Sequence, residues 1–223
     1  MNAREKILGR IRDAGSDKSS GVRTSAEATQ AIASHLAQHP RGPLPPPTDD
    51  LVARFRERAL KLSSDVLETN NRNEVPTLLA YYLREKKLPM SGVCWPSLAD
   101  LPWRNAGLEM QSRPAQDQDL VGVTGAFCAI AETGTLMLLS GAETPATTSL
   151  LPETHVAVLD PCRIVATMED AWELLRKEYK QLPRAVNFIS GPSRTADIEQ
   201  TVTLGAHGPY RVVLILAPLK YPL

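Results

Sequence analysis

The densest set of chemically capable residues in this chain of 223 residues is the stretch GPSRTADIEQTVTLGAHGP, Gly191 to Pro209. It holds an arginine, two carboxylates and a histidine between glycines, and it lies between two apolar runs, AVNFIS (Ala185–Ser190) and RVVLILA (Arg211–Ala217). Short apolar runs bounded by Gly and Pro read as buried strands. Ser193 and Thr195 are helix-capping types, and Asp197 and Glu199 suit a helix's first turn. Exposed amides at such a start attract an anion. Arg194 adds a planar fork that matches a carboxylate or a phosphate. Two readings stand side by side. Either these residues line a pocket for a small anionic ligand, or Arg194 pairs with Asp197 or Glu199 and the segment caps a helix. Ligands of open α/β sheets bind in strand-end loops of this kind, at the carboxyl edge.

Two further positions carry reactive groups. His207 stands in GAHGP, where an accessible imidazole suits acid, base or ligand roles; a turn histidine bonded to backbone is the plain alternative. Glu132 sits in AETGT, after an apolar strand and before a glycine turn. A carboxylate there can take up a proton or attack as a nucleophile, or can simply fix the loop through backbone amides or Arg194. Thr133 and Gly134 of the same turn, and Thr124 and Gly125 of GVTGA, complete the candidate binding set. GVTGA lacks the G-x-G-x-x-G spacing of a dinucleotide site. His155 opens an apolar strand and reads as a strand-end residue.

The elements that must position these residues alternate. Asp49–Ser63 and Glu74–Lys87 have helical apolar spacing, the first capped by Thr48 or Asp49, and the strands DVLE (Asp65–Glu68) and SGVCWP (Ser91–Pro96) follow them in turn. Ala129–Glu132 and Thr135–Ser140 read as strands joined at Thr133-Gly134. HVAVLD (His155–Asp160) and CRIV (Cys162–Val165) are further strands. Met168–Lys180 is a helix with Trp172, Leu175 and Tyr179 as core candidates. Such alternation predicts a mostly parallel sheet with crossover helices. Ahead of it, residues 1–47 hold a short amphipathic helix over Met1–Arg12, an Ala-rich helix over Ser25–Gln38 and the stiff linker HPRGPLPPP. Residues 48–223 form the α/β domain. The thin stripe of Ile7, Leu8 and Ile11 needs a covering surface, its own body or another subunit, which admits a homo-oligomer.

Composition narrows the function classes. Lys+Arg and Asp+Glu both number 25, and this balance argues against non-specific nucleic-acid binding. Arg54, Arg56, Arg58 and Lys61 read as a solvated helix face. Cys94, Cys128 and Cys162 make an odd count without a C-x-x-C pair, so neither a disulfide framework nor an iron–sulfur cluster is expected. No metal-ligand spacing stands out. No apolar run reaches membrane-spanning length and the amino terminus lacks a signal-peptide core, so the expected compartment is the cytoplasm.

The wording of Gly191–Pro209, with GVTGAFCAIAETGTLML (Gly122–Leu138) and LLPETHVAVLD (Leu150–Asp160), closely resembles the lactate utilisation protein C family, the LUD domain. The resemblance runs over roughly the carboxyl-terminal half of the chain. It implies a three-layer α/β fold similar to that of the sugar-phosphate isomerases and CoA transferases. It also implies a role in oxidising L-lactate to pyruvate beside two iron–sulfur partner proteins, which carry the clusters. At one place the chain departs: Gly125-Ala126-Phe127-Cys128 stands where the family usually has Gly-Ala-Asp-Phe, so that carboxylate is missing.

Three functions follow as alternatives. One is an accessory or substrate-handling subunit of the lactate system. Another is a stand-alone isomerase or acyl transferase on a small phosphorylated or carboxylated metabolite, with Glu132 and His207 as its acid–base or nucleophilic groups. The third is an interaction protein that docks a partner through its amino-terminal helix and linker.

Overall fold

Strands of Val, Ile and Leu dominate the larger of two units into which the chain divides, Met1–Leu44 and Pro45–Leu223. The computed structural model describes residues 3–15, 25–39, 41–44, 46, 48–195, 203–205 and 207–219. The small unit holds two helices, α1 (Ala3–Gly15) and α2 (Ser25–Gln38). Their apolar side chains are sparsely covered: Ile7, Ile32 and Leu36 are all exposed.

The larger unit opens with α3 (Leu51–Lys61), capped by Asp50, whose side chain accepts from the Ala53 N–H at 2.9 Å. An Asp at this position satisfies one of the orphan donors of the first turn. Next come β1 (Asp65–Glu68), α4 (Val75–Glu85), β2 (Ser91–Cys94), β3 (Glu109–Ser112), β4 (Val121–Gly125), β5 (Cys128–Ile130) and β6 (Thr135–Leu139). They are followed by α5 (Thr147–Leu150), β7 (Thr154–Leu159), β8 (Ile164–Val165), α6 (Met168–Glu178), β9 (Val186–Ile189), β10 (Arg194–Thr195), β11 (Thr203–Leu204) and β12 (Arg211–Leu216).

Six strands form one sheet in the order β1-β12-β7-β4-β2-β3, and every pairing in it is parallel. This is the α/β class with a mostly parallel central sheet flanked by helices. Successive residues of β7 and β12 take opposite faces, the period of a strand. Val156, Val158, Val213 and Ile215 pack under α4 with Leu79 and Leu83. Ala157, Leu159, Val212 and Leu214 turn the other way, toward α3 and a second sheet. At roughly 1.5–3 kcal/mol for each large apolar side chain buried, these two faces supply much of the driving force for folding.

The second sheet has four strands in the order β8-β5-β6-β9, and β6 runs antiparallel to both its neighbours. It lies between two cores. Leu136 and Leu138 join Phe55, Ala59 and Trp95 on the side of the parallel sheet. Met137 and Leu139 join Cys128, Ala171 and Leu175 under α6. Only Ala126 and Phe127 separate β4 from β5, so the chain doubles back at the carboxyl edge of the parallel sheet.

Three expectations are corrected by this topology. Thr124 and Gly125 of GVTGA do not join the binding set: they end the wholly buried strand β4, in which Gly122 is needed because a Cβ would run into the Thr148 carbonyl oxygen. Arg194 and Thr195 do not start a helix; they pair antiparallel with Leu204 and Thr203. The Gly191 segment does not leave the carboxyl edge. β9 belongs to the second sheet and runs against β6, so it delivers Ser190 and Gly191 toward the amino edge, where β12 begins. Three of the four basic residues of α3 are paired: Arg54 and Lys61 with Glu57, and Arg56 with Glu68. No helix among the described residues is long and apolar enough to cross a membrane.

Candidate functional site

The last turn of α3 is where several of the residues singled out from the sequence meet. Gly134, at a φ of +68°, turns the β5–β6 connection so tightly onto the helix that a side chain there would strike the backbone of Arg58 and Ala59. Gly191, at a φ of +82°, approaches the same helix one turn later, against the Leu62 carbonyl. Both conformations are left-handed and favour glycine. A hydroxyl chain ties the two loops together: Thr133 Oγ1 donates to Thr135 Oγ1 at 2.8 Å, and Thr135 Oγ1 lies 2.7 Å from Ser190 Oγ.

Arg194 is drawn to this point by the helix end. Its Nη2 donates to the Leu62 carbonyl at 3.1 Å and to Ser63 Oγ at 2.6 Å. Carbonyls left over at a helix carboxyl terminus favour a cation. Glu132 is half-buried in the turn beside Thr133, and its N–H donates to the Ala166 carbonyl at 3.1 Å. Arg58, which Gly134 of the same turn abuts, has its Nε buried without a hydrogen-bond partner among the described residues. His207 is exposed in a turn held to the segment by the Ser193 N–H, which donates to the Pro209 carbonyl at 2.9 Å. Gly208 lies within ordinary contact of Ser193, since a Cβ there would be 3.4 Å from the Ser193 Cβ.

The structure therefore gathers Glu132, Thr133, Gly134, Ser193 and Arg194 around one helix end, with the His207 turn packed against Ser193. Thr195 follows in the β10–β11 pair. Asp197 and Glu199 lie outside the described residues. Thr124 and Gly125 are not part of this group. They close β4 toward the opposite edge, fully buried. The Thr124 hydroxyl shares a 2.8 Å hydrogen bond with His155 Nε2, the donor set by the histidine tautomer. His155 is wholly buried, and that burial pushes its pKa down to about 3.

At the carboxyl edge of the parallel sheet lies a cavity of about 520 Å³ that includes none of these residues. Its walls follow the ends of strands: Trp95 after β2, Phe127 after β4, Ser140–Thr144 after β6 and Arg163 after β7, with Glu178 and Tyr179 ending α6. Arg163 is fixed from three sides. Its Nε donates to the Phe127 carbonyl at 2.9 Å, its guanidinium lies 4.7 Å from the centre of the Phe127 ring, and both Nη groups donate to the Glu178 carboxylate. The hydrogen bond from Arg163 holds the Glu178 carboxyl below the usual carboxylate range. The sequence signal for this arginine was present in Asp160-Pro161-Cys162-Arg163, a polar turn directly after a buried strand. Its partner Glu178 lies 15 residues on and carried none. Among the described residues, no three His, Cys, Asp or Glu side chains gather as they would around a metal ion.

Comparison with known proteins agrees with the resemblance in wording. The LUD domain matches residues 105–217. Lactate utilization protein C of Bacillus subtilis (strain 168) is 28% identical over 188 residues, covering 75% of this chain and 78% of that protein. Lactate utilization protein C 1 of Bacillus mycoides (strain KBAB4) is 31% identical over 186 residues, covering 75% and 79%. A crystal structure of a DUF162 family protein from Deinococcus radiodurans has the same fold, with a TM-score of 0.58 at 22% identity over 78% of this chain and all of that one.

Proposed function

The chain belongs to the LUD domain family, and from that premise we propose that it serves a bacterial L-lactate utilisation system as an accessory, substrate-handling component. Oxidation of L-lactate to pyruvate releases two electrons, and two iron–sulfur partner proteins carry them. The observation that supports this most is the likeness to two Bacillus proteins named for lactate utilisation, over three quarters of the chain.

In this reading the end of α3 is the handling site for a small anion. Arg194, braced on Leu62 and Ser63, meets a carboxylate with the donors of its fork that these two bonds do not use. Arg58, whose Nε is buried without a partner among the described residues, adds positive charge beside the Glu132 turn. Thr133, Gly134, Ser193 and Thr195 border the anion, with Asp197 and Glu199 in the same segment. Glu132 and His207 take up and return protons as the hydroxy acid is presented to a partner.

The test is purification of the chain from its native host together with whatever accompanies it. Iron and L-lactate-dependent dye reduction should travel with co-purifying proteins and be lost when the chain is isolated. Arg194→Ala should abolish lactate-dependent reduction in the assembly while the chain still assembles. Turnover of L-lactate by the isolated chain, or recovery without any iron protein, would refute the accessory role. Turnover of a sugar phosphate or an acyl donor by the isolated chain would instead identify a stand-alone enzyme.

A further inference from the structure

The cavity at the carboxyl edge is built for a ligand of a different kind. Open parallel sheets present their ligand sites at this edge, and 520 Å³ falls within the span of about 300–1,000 Å³ typical of organic ligand sites. L-Lactate, with six non-hydrogen atoms, would leave most of that space unfilled. The walls are largely apolar and aromatic: Trp95, Phe127 and Tyr179 face the space, and the Phe127 and Tyr179 rings meet edge to face at 5.8 Å. One strong cation stands among them, Arg163, whose side chain is 15% exposed.

The two members of the Arg163–Glu178 pair are held unequally. Arg163 is also held by the Phe127 carbonyl and ring, contacts that do not involve Glu178. Among the described residues Glu178 has no such second anchor in the cavity, and its side chain is 37% exposed. It is also the last residue of α6, where the dipole and the unpaired carbonyls of the helix end repel an anion. The fork is thus prepared for a carboxylate, and the carboxylate now on it is the one the fold holds less firmly.

We propose that this cavity binds an organic carboxylate with an aryl or branched apolar body, and that the ligand's carboxylate takes Arg163 over from Glu178. Glu178 occupies the fork in the empty protein, through both Nη groups. The apolar body of the ligand lies along Phe127, Tyr179 and Trp95. This site shares no side chain with the one at the end of α3, so either can fail without the other.

The experiment titrates the full chain with 3-phenyllactate and, in parallel, with 2-phenylethanol, which lacks the carboxylate, following heat release and tryptophan fluorescence. Phenyllactate should bind and phenylethanol should bind at least about tenfold more weakly, as expected when a charge-assisted pair is lost. Glu178→Gln should bind phenyllactate about threefold to fivefold more tightly, because the ligand no longer displaces an anion worth up to about 1 kcal/mol to the pair. Arg163→Met should lose binding. A tightening in Glu178→Gln cannot come from misfolding, so it decides the matter even where Arg163→Met fails to fold. Equal affinity for the acid and the alcohol, or a Glu178→Gln protein that binds no more tightly than the parent, would overturn the proposal.

Discussion

His155 makes the stability of this protein depend on pH in a window that few other groups share. Its ring is wholly buried in β7, with Nε2 on the Thr124 hydroxyl and Nδ1 without a partner among the described residues. Burial alone lowers its pKa from 6.5 to about 3. Between those two values the unfolded chain binds a proton that the folded chain refuses, so unfolding becomes easier as pH falls. The stabilising effect is complete above the unfolded pKa and drains away below it, at about 1.4 kcal/mol per pH unit once the unfolded histidine is fully charged. From pH 7 to pH 5 the loss comes to about 2 kcal/mol. The paired carboxylates Glu57, Asp119 and Glu178 also have lowered pKa values, but their unfolded values are 4.5, 3.8 and 4.5, so they release stability only in more acid solution. Urea unfolding of the parent and of His155→Gln, measured at pH 7 and at pH 5, isolates the effect, because the other histidines contribute alike to both proteins. The parent should lose about 2 kcal/mol more than the variant over this interval. Parallel losses would show that the buried ring titrates as it does in the unfolded chain.

Two further outcomes are expected. Gly191→Ala should cost roughly 2–4 kcal/mol, since it forces a left-handed alanine and sets its Cβ into the Leu62 carbonyl; a urea midpoint within error of the parent would mean that the loop leaves α3 without penalty. Native protein should release one equivalent of thiol quickly to an aromatic disulfide reagent, from the exposed Cys162. Cys94 and Cys128 should react only on unfolding, because burial raises their pKa values to about 11 and about 12; two fast equivalents would contradict that burial.

Much of the central sheet was legible because its strands are written in uninterrupted Val, Ile and Leu. RVVLILA and HVAVL could hardly be anything but buried, and the helix over Met168–Lys180 followed from its apolar spacing. β4 was obscured by its glycines, of which Gly122 serves close packing against α5 rather than a turn. β3 was invisible because EMQS is short and largely exposed at the edge of the sheet. The polar turns of the candidate site stood out as local chemistry between strands. Their place on the molecule did not, because that depends on β9 joining the second sheet, a long-range pairing without a local signal. The same holds for Arg194, whose partners Leu62 and Ser63 lie more than 130 residues earlier.

β6 acts as a ruler between the two ends of the molecule. Its five residues lead from the Gly134 turn beside α3 to Ser140 at the aromatic cavity, a span of about 20 Å at the rise of a strand. The ruler can be cut only in even steps. One residue added or removed would turn Leu136 and Leu138 out of the core they share with the parallel sheet and drive Met137 and Leu139 into it. The distance between the helix-end site and the cavity is thus set by side-chain parity. A ligand or partner that reads both ends at once meets one spacing, and changes in reach have to come from the loops at either end of the strand.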